Sequence, residues 1–237
     1  MTASWESVKV DRREVDIYLS MPGGPGPLPA VVVGQHSGGL DQFIRDMTDR
    51  LAAEGYAAVA PDLFHRITED MLADGSKKTA HLSDPEIVAD INAAVDFLRN
   101  HPSVNGERIG VTGFGIGGRA AWLAAAVNPY FRAAAAYYGG DIMTPWGNAT
   151  QAPFELSGGI NCPVLFHFGE ADQNPSQADM RRLDTELTRL GKPHRFYTYP
   201  GADHAFMDPT AARFRREASQ ISWPRTLDFF AEHLKSP

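Results

Sequence analysis

The sequence contains very little cysteine: its 237 residues include only one, Cys162. An internal disulfide is therefore impossible, and a reducing compartment is the expected setting because such compartments keep thiols reduced. Basic residues are also scarce, since 22 Lys and Arg stand against 29 Asp and Glu and give a net charge of -7. Nucleic-acid binding needs clustered positive charge to neutralise phosphates, so nucleic acid is not an expected partner.

Long apolar runs are absent as well. The first ten residues, MTASWESVKV, contain no apolar core of a secretory signal, and no later run reaches the roughly 20 residues of a membrane helix. We therefore expect a cytoplasmic protein with no membrane partner. Because 43% of the residues are hydrophobic, the chain can bury a sizeable core, and we predict one domain over residues 1–237.

Strand-like and helix-like segments alternate along the chain. Residues 15–19 alternate apolar and polar side chains, which indicates a strand at the sheet edge, whereas residues 29–34 are continuously apolar and indicate a buried parallel strand. Asp41 and Asp84 are expected to be the N-caps of two helices. Further strands are predicted over residues 56–60, 108–112, 131–137, 163–168 and 194–199, and further helices over 119–127, 176–190 and 214–234. This alternation predicts an α/β fold with a single, mainly parallel sheet and helices on both faces.

Two irregular segments, residues 62–83 and 139–160, are longer than most connections in compact domains. Each follows the carboxyl end of a predicted strand. Because ligands bind at those ends in open α/β sheets, we expect both segments to border a binding site.

The glycine-rich stretch GVTGFGIGGRAAW, residues 110–122, supports two interpretations. Counted on Gly113, Gly115 and Gly118, it matches the G-x-G-x-x-G pattern of an NAD(P)-dependent oxidoreductase. The same strand–turn–helix shape also belongs to the nucleophile elbow of hydrolases, whose central residue is usually Ser or Cys. A dinucleotide site usually lies on the first βαβ unit with an acidic residue about 20 positions later, whereas here Asp141 lies beyond the next strand.

An acidic residue and a histidine follow the last two predicted strands. Asp172 comes after residues 163–168, and His204 comes after residues 194–199. Either residue could simply belong to a turn or a surface loop. Elbow, acid and histidine nevertheless occur in the chain order of α/β-hydrolases, which favours the hydrolase interpretation.

Two reactive side chains lie at the start of a predicted strand or within it. Cys162 precedes a proline at a strand start, and His167 lies within an apolar strand. Such residues are usually buried parts of the core. We therefore expect both to be structural.

Five segments resemble the dienelactone hydrolase family of α/β-hydrolases, and the likeness extends over nearly the whole chain. They are residues 29–33, 60–66, 109–119, 162–169 and 199–206, which read PAVVV, APDLFHR, IGVTGFGIGGR, CPVLFHFG and YPGADHAF. The resemblance implies an α/β-hydrolase fold. The elbow of that family reads G-F-C-x-G-G with Cys as nucleophile, so Gly115 stands at the nucleophile position, while Asp172 and His204 match the rest of the triad.

Gly115 has no side chain that could attack a carbonyl, so no acyl-enzyme can form there. The resemblance implies that the backbone N–H groups of Ile116 and Ser37 form the oxyanion hole. His204, oriented by Asp172, is then expected to accept a proton from water or from the substrate. The main hypothesis is general-base catalysis on a small ester, lactone or related carbonyl compound without a covalent intermediate. The chemistry would be hydrolysis or a proton transfer such as elimination, isomerisation or cyclisation.

The substrate-binding positions depart from the family pattern. Gln35-His36 stands where the family has His-Glu, and Asp208 stands where it has a second substrate-binding arginine, while Arg66 matches the first. The resemblance implies that Gln35, His36 and Arg66 contact a small-molecule substrate. No metal or other cofactor is expected, because His36 and His204 lack further ligands at suitable spacing. The chain is expected to be a monomer or homodimer, and a non-catalytic ligand-binding pseudoenzyme remains the alternative function.

Overall fold

The computed structural model describes residues 1–235, which form one eight-stranded sheet with five α-helices. The strands are β1 (Thr2–Val10), β2 (Arg13–Met21), β3 (Leu28–Gly34), β4 (Ala57–Pro61), β5 (Val104–Phe114), β6 (Phe131–Tyr137), β7 (Val164–Gly169) and β8 (His194–Tyr199). The helices are α1 (Gln42–Ala53), α2 (Asp84–Asn100), α3 (Ile116–Val127), α4 (Gln177–Arg189) and α5 (Arg216–Phe230). Short 3-10 turns cover Asp70–Leu72, Lys78–His81 and Ser157–Gly159, and a π-helical turn covers Ala231–Lys235.

The strands are ordered β1-β2-β4-β3-β5-β6-β7-β8 across the sheet. The β1–β2 and β2–β4 pairs are antiparallel. The other six strands, β3 to β8, run parallel to one another. The prediction of a single, mainly parallel sheet is therefore confirmed.

Central strand β3 shows how the sheet is covered. Ala30 and Val32 belong to an apolar cluster with residues of α2, α3 and α4. Val31 and Val33 belong to a second cluster with residues of α1 and α5. Because the strand is buried on both faces, its sequence is continuously apolar, and the prediction of helices on both faces is confirmed.

The prediction that residues 15–19 form an edge strand was wrong. They lie in β2, which pairs with β1 along its whole length, from Thr2 opposite Met21 to Val10 opposite Arg13. Nearly all of β1 is exposed or partly exposed, including Trp5 at 52%. A strand without a buried face lacks the alternating hydrophobicity by which strands are recognised in sequence.

The two predicted helix caps differ in outcome. Asp41 is the N-cap of α1, where its carboxylate accepts a hydrogen bond from the Ile44 N–H at 3.2 Å. Asp84 is not an N-cap, because Ser83 occupies that position and Asp84 begins the helix itself. The carboxylate of Asp84 is buried in an ion pair with Arg119 instead. A tertiary contact has therefore overridden the local capping preference.

His167 is fully buried within a polar network of the core. Its Nδ1 is 2.8 Å from the Tyr199 hydroxyl, and its Nε2 is 3.0 Å from the Thr226 hydroxyl. Burial lowers the pKa of His167 to about 3, with a further contribution from the nearby Arg225. The imidazole is therefore neutral in the native state at neutral pH, as expected of a structural histidine.

We predict that His167→Gln reduces the acid sensitivity of the fold. The unfolded histidine has a pKa near 6.5, so below that pH the unfolded chain binds a proton that the native chain does not. The stability that neutral His167 contributes is therefore fully present above about pH 6.5. As the pH falls to 4.5, this contribution to the free energy of unfolding decreases by about 2 to 3 kcal/mol. Denaturant unfolding at pH 7 and pH 4.5 measures the difference. His194→Gln, on the edge strand, is the control, and an equal acid loss in wild type and His167→Gln would contradict the prediction.

Candidate active site

The start of α3 lies against the ends of β3 and β5, and glycine makes this close approach possible. A Cβ atom at Gly113 would overlap the backbone of Gly117, and one at Gly117 would overlap the carbonyl group of Gly34. A Cβ atom at Gly118 would overlap the carbonyl oxygen of Tyr137. Backbone packing therefore accounts for Gly113 and Gly118, two of the three glycines in the dinucleotide-like pattern.

Gly115 is the residue that joins β5 to α3. Its φ of 57° and ψ of -115° are angles that L side chains rarely adopt. A Cβ atom built at this position would lie 3.3 Å from His204 Nε2. Apart from the residues adjoining Gly115, no other atom of residues 1–235 lies within 4 Å of that point. A side chain at this turn would therefore contact the imidazole of His204 directly.

His204 and Asp172 form a hydrogen-bonded pair beside this turn. The Nδ1 atom of His204 is 3.0 Å from Asp172 Oδ2. Asp172 follows β7 and its side chain is only 2% exposed, whereas His204 follows β8 and its side chain is 30% exposed. A buried carboxylate on Nδ1 favours the tautomer with the proton on that nitrogen, which leaves Nε2 free to accept a proton.

A second hydrogen-bond network orients Asp172 and was not predicted from the sequence. The Asn174 N–H donates to Asp172 Oδ1 at 2.9 Å, so both carboxylate oxygens are engaged. The Asn174 side chain in turn accepts from the Asp141 N–H at 2.8 Å and donates to Asp141 Oδ1 at 3.0 Å. Asp141 has a positive φ of 52°. Asp141 and Asn174 are 33 residues apart in sequence, so no local sequence pattern indicates this contact.

The predicted oxyanion donors lie beside Gly115 and His204. Ile116 is the first residue of α3, where a backbone N–H has no acceptor within the helix. Ser37 lies in a tight turn closed by a hydrogen bond from the Gly39 N–H to the His36 carbonyl oxygen at 3.0 Å. Ser37 and Ile116 both line the same cavity as Gly115 and His204.

This cavity has a volume of about 900 Å³ and lies at the carboxyl ends of the parallel strands. Both long segments contribute to its wall, as the sequence analysis predicted for residues 62–83 and 139–160. The wall residues from these segments include Ser76, Lys77, Thr79, Asp141 and Trp146. The sequence predicted the two segments but not which of their side chains face the cavity, because irregular backbone has no regular spacing of inward-facing residues.

A buried ion pair fixes the second of these segments. The guanidinium of Arg119 forms a two-pronged contact with the Asp84 carboxylate and donates to the Thr144 carbonyl oxygen at 2.7 Å. Asp84 Oδ2 also accepts from the Trp146 N–H at 2.9 Å. The guanidinium lies 3.9 Å from the centre of the Trp146 ring. Helices α2 and α3 thereby hold Trp146 in the cavity wall.

Neither Gln35 nor His36 lines the cavity. Gln35 is fully buried, and its side-chain oxygen accepts from the Leu63 N–H at 3.1 Å. The Nε2 atom of His36 is 2.7 Å from Asp41 Oδ2. The Gln35 oxygen therefore supports neighbouring backbone, while its buried side-chain nitrogen has no hydrogen-bond partner in the described part of the chain, and His36 contacts the α1 cap. These contacts do not support the predicted role in substrate binding.

Arg66 is also placed away from the cavity. Its guanidinium contacts Asp90 at 2.7 Å, Asp11 at 3.0 Å and Glu86 at 3.8 Å. Three carboxylates already surround this cation, so its contacts do not support the predicted role in binding a substrate carboxylate. Asp208 is buried and accepts from the N–H and hydroxyl groups of Thr210 at 2.8 and 2.7 Å.

Within residues 1–235, His, Cys, Asp and Glu side chains form no group of three or more that could hold a metal ion. Over the same residues, no helix has both the length and the apolar character required to cross a membrane. The thiol of Cys162 is buried, and burial raises its pKa to about 12. A thiol in that environment is a poor nucleophile.

Comparison with known proteins agrees with this architecture. A family model described as "Dienelactone hydrolase family" matches residues 15–234. A Synechocystis protein named "Putative carboxymethylenebutenolidase" is 32% identical over 226 residues, which cover 92% of this chain and 92% of that protein. A Bradyrhizobium protein named "Probable 2-oxo-3-(5-oxofuran-2-ylidene)propanoate lactonase" is 29% identical over 234 residues, covering 97% and 94%. The solved structure of a "Putative Dienelactone Hydrolase" from Klebsiella pneumoniae is 29% identical, with a TM-score of 0.87 over 98% of this chain and 99% of that chain.

We predict that Arg119→Met lowers the free energy of unfolding by about 3 to 5 kcal/mol, because it leaves the buried Asp84 carboxylate without its counter-charge. Denaturant unfolding measures this change. The matched control is Arg189→Met, which removes a mostly exposed guanidinium from its ion pair with Glu186. We expect the control to change stability by less than about 1 kcal/mol. Equal effects of the two substitutions would show that the buried pair does not anchor the cavity wall.

Proposed function

The chain belongs to the dienelactone hydrolase family, since the family model spans residues 15–234, and we propose that it hydrolyses a small ester or lactone by general-base catalysis. His204 is the base, Asp172 orients it, and no acyl-enzyme forms at Gly115. The cavity beside these residues, about 900 Å³ in volume, is large enough for a small-molecule substrate.

One observation carries the proposal. The point at which a side chain would leave Gly115 is 3.3 Å from His204 Nε2, and the other ring nitrogen is held by Asp172 at 3.0 Å. The imidazole is therefore directed at the position from which a nucleophile would attack. Because glycine has no side chain to compete for Nε2, we expect a water molecule of the adjoining cavity, which both residues line, to hydrogen-bond to that nitrogen.

The reaction would begin with attack of this water on the substrate carbonyl carbon. His204 Nε2 accepts a proton from the water as the new C–O bond forms, and the carbonyl oxygen becomes negatively charged. We expect the backbone N–H groups of Ile116 and Ser37, two residues that line the cavity, to donate to that oxygen. His204 then returns the proton to the leaving alkoxide, while the Asp172 carboxylate stabilises the transient imidazolium.

The substrate class follows from the family and from the charged groups in the wall. Relatives are named as a carboxymethylenebutenolidase and a lactonase, which supports an ester or lactone as the substrate. Arg66 is held by Asp90, Asp11 and Glu86, so it does not supply the positive charge that would bind a substrate carboxylate. Lys77 and Asp141 both line the cavity, so its wall carries side chains of both signs, and the proposal extends to a small ester or lactone without assigning its charge.

The other functions considered from the sequence have weaker support. Close packing accounts for Gly113 and Gly118, so the glycine pattern needs no bound dinucleotide to explain it. A ligand-binding pseudoenzyme would use the same cavity, and proton transfer without hydrolysis would use the same base. Turnover measurements on a panel of esters and lactones, combined with product identification, separate these functions.

We predict that His204→Ala lowers kcat/KM for a neutral aryl ester or lactone by about 10²- to 10⁴-fold, the usual contribution of a general base. Asp172→Asn should reduce it as well, because an amide favours the wrong imidazole tautomer. His194→Ala, on strand β8, is the matched histidine control and should retain wild-type turnover. An unchanged rate in His204→Ala would refute the proposal. Thermal shifts by ligands without turnover of any compound would favour the pseudoenzyme.

A second prediction concerns Gly115→Cys. The introduced thiol would lie next to His204 Nε2, so we expect rapid alkylation by iodoacetamide and a covalent acyl adduct with activated esters, both detected by intact mass. The positive φ should cost about 1 to 3 kcal/mol of stability. The wild-type protein provides the control, because its thiol at Cys162 is buried. A thiol introduced at residue 115 that reacts no faster than Cys162 would mean that the imidazole is not directed at this position.

A further inference from the structure

A second histidine and a serine are hydrogen-bonded in the wall of the same cavity. Ser76 Oγ lies 2.6 Å from His81 Nε2, and Ser76 is one of the residues that line the cavity. Both residues belong to the segment between β4 and α2, and His81 ends the 3-10 turn Lys78–His81. Neither residue is part of the His204–Asp172 pair.

The local backbone holds the serine in place. The Ser76 N–H donates to Asp74 Oδ1 at 2.8 Å, and Gly75 between them has a φ of 81°. This turn presents the hydroxyl to His81. The Met71 carbonyl oxygen is the other acceptor within reach of Ser76 Oγ, but it is farther away at 3.4 Å. The imidazole nitrogen is therefore the better acceptor for the hydroxyl proton.

A hydroxyl hydrogen-bonded to an imidazole is the minimal arrangement for nucleophilic catalysis, because the base removes the proton as the oxygen attacks. The other cavity-lining serine with a free approach to substrate is Ser37. In the described part of the chain, its hydroxyl has no hydrogen bond to an imidazole, since His36 is 2.7 Å from Asp41 instead. Lys77 follows Ser76 and also lines the cavity, so this part of the wall includes a cationic side chain.

We propose that Ser76 is a second nucleophile of the cavity, activated by His81, which reacts covalently with phosphoryl compounds that carry a good leaving group. This inference goes beyond the proposed function, because it needs neither His204 nor Gly115. In the reaction with a fluorophosphate, a bond forms between Ser76 Oγ and phosphorus, and the P–F bond breaks with its electron pair leaving on fluoride. The serine proton passes to His81 Nε2 and then to solvent.

Diisopropyl fluorophosphate is the probe for this proposal. The purified protein is incubated with it, the adduct is counted by intact mass, and the modified residue is located by peptide mapping. We expect one adduct, on Ser76. Ser76→Ala should abolish it, and His81→Gln should slow its formation by about 10²- to 10⁴-fold, the contribution of a general base. His194→Ala, which changes a histidine that does not line the cavity, should form the adduct at the wild-type rate.

Three results would overturn the proposal: no adduct in the wild-type protein, an adduct mapped to another residue such as Ser37, or a rate that falls in His204→Ala but not in His81→Gln. Peptide mapping of the wild-type protein decides the modified residue even if a variant folds poorly. The outcome is separate from that of the proposed function. Under the proposed function, ester turnover depends on His204, whereas formation of the Ser76 adduct depends on His81. Either proposal can therefore fail while the other holds.

Discussion

The close packing of α3 against β3 and β5 is the constraint on which the candidate site depends. Only glycine at residues 34, 113 and 117 allows the backbone of α3 to pack this closely against the backbones of β3 and β5. The first residues of α3 therefore lie directly beside the ends of these strands. Gly115 makes the connection with a positive φ, and the direction of a side chain at that residue is thereby determined. That direction leads to His204 Nε2. Backbone packing at the carboxyl ends of β3 and β5 thus sets the direction that a side chain at residue 115 would take.

The His204–Asp172 pair and the cavity wall are anchored by different contacts. Asp172, buried after β7, holds the imidazole, and the backbone of Asn174 occupies the other carboxylate oxygen. The wall around Trp146 is held instead by the buried pair of Arg119 and Asp84 on two helices. The two anchors share no residue, so the wall can differ in sequence without moving His204, as is usual for loops on a rigid α/β scaffold.

Sequence patterns predicted residues at the ends of buried strands better than they predicted exposed strands and long-range contacts. Asp172 and His204 were found because each follows a strand, and the carboxyl ends of parallel strands meet at one edge of the sheet. Strand β1 was missed because it has almost no buried face. Asp84 was assigned to a cap because capping preference is local, whereas its partner Arg119 lies 35 residues away. Arg66 was assigned to substrate binding by resemblance, which carries no information about the carboxylates that surround it in this chain.

The sequence by itself determined the alternation of strands and helices, the buried character of the central strands, and the glycine spacing that forces a sharp turn after β5. These features depend on periodicity and backbone freedom, which are properties of neighbouring residues. Tertiary structure alone decided which charged and polar side chains meet: Arg66 with Asp90, and Ser76 with His81 across a turn of irregular backbone. Partner choice depends on distance in space, and the same acid or histidine accepts any suitable donor that the fold brings within about 3 Å.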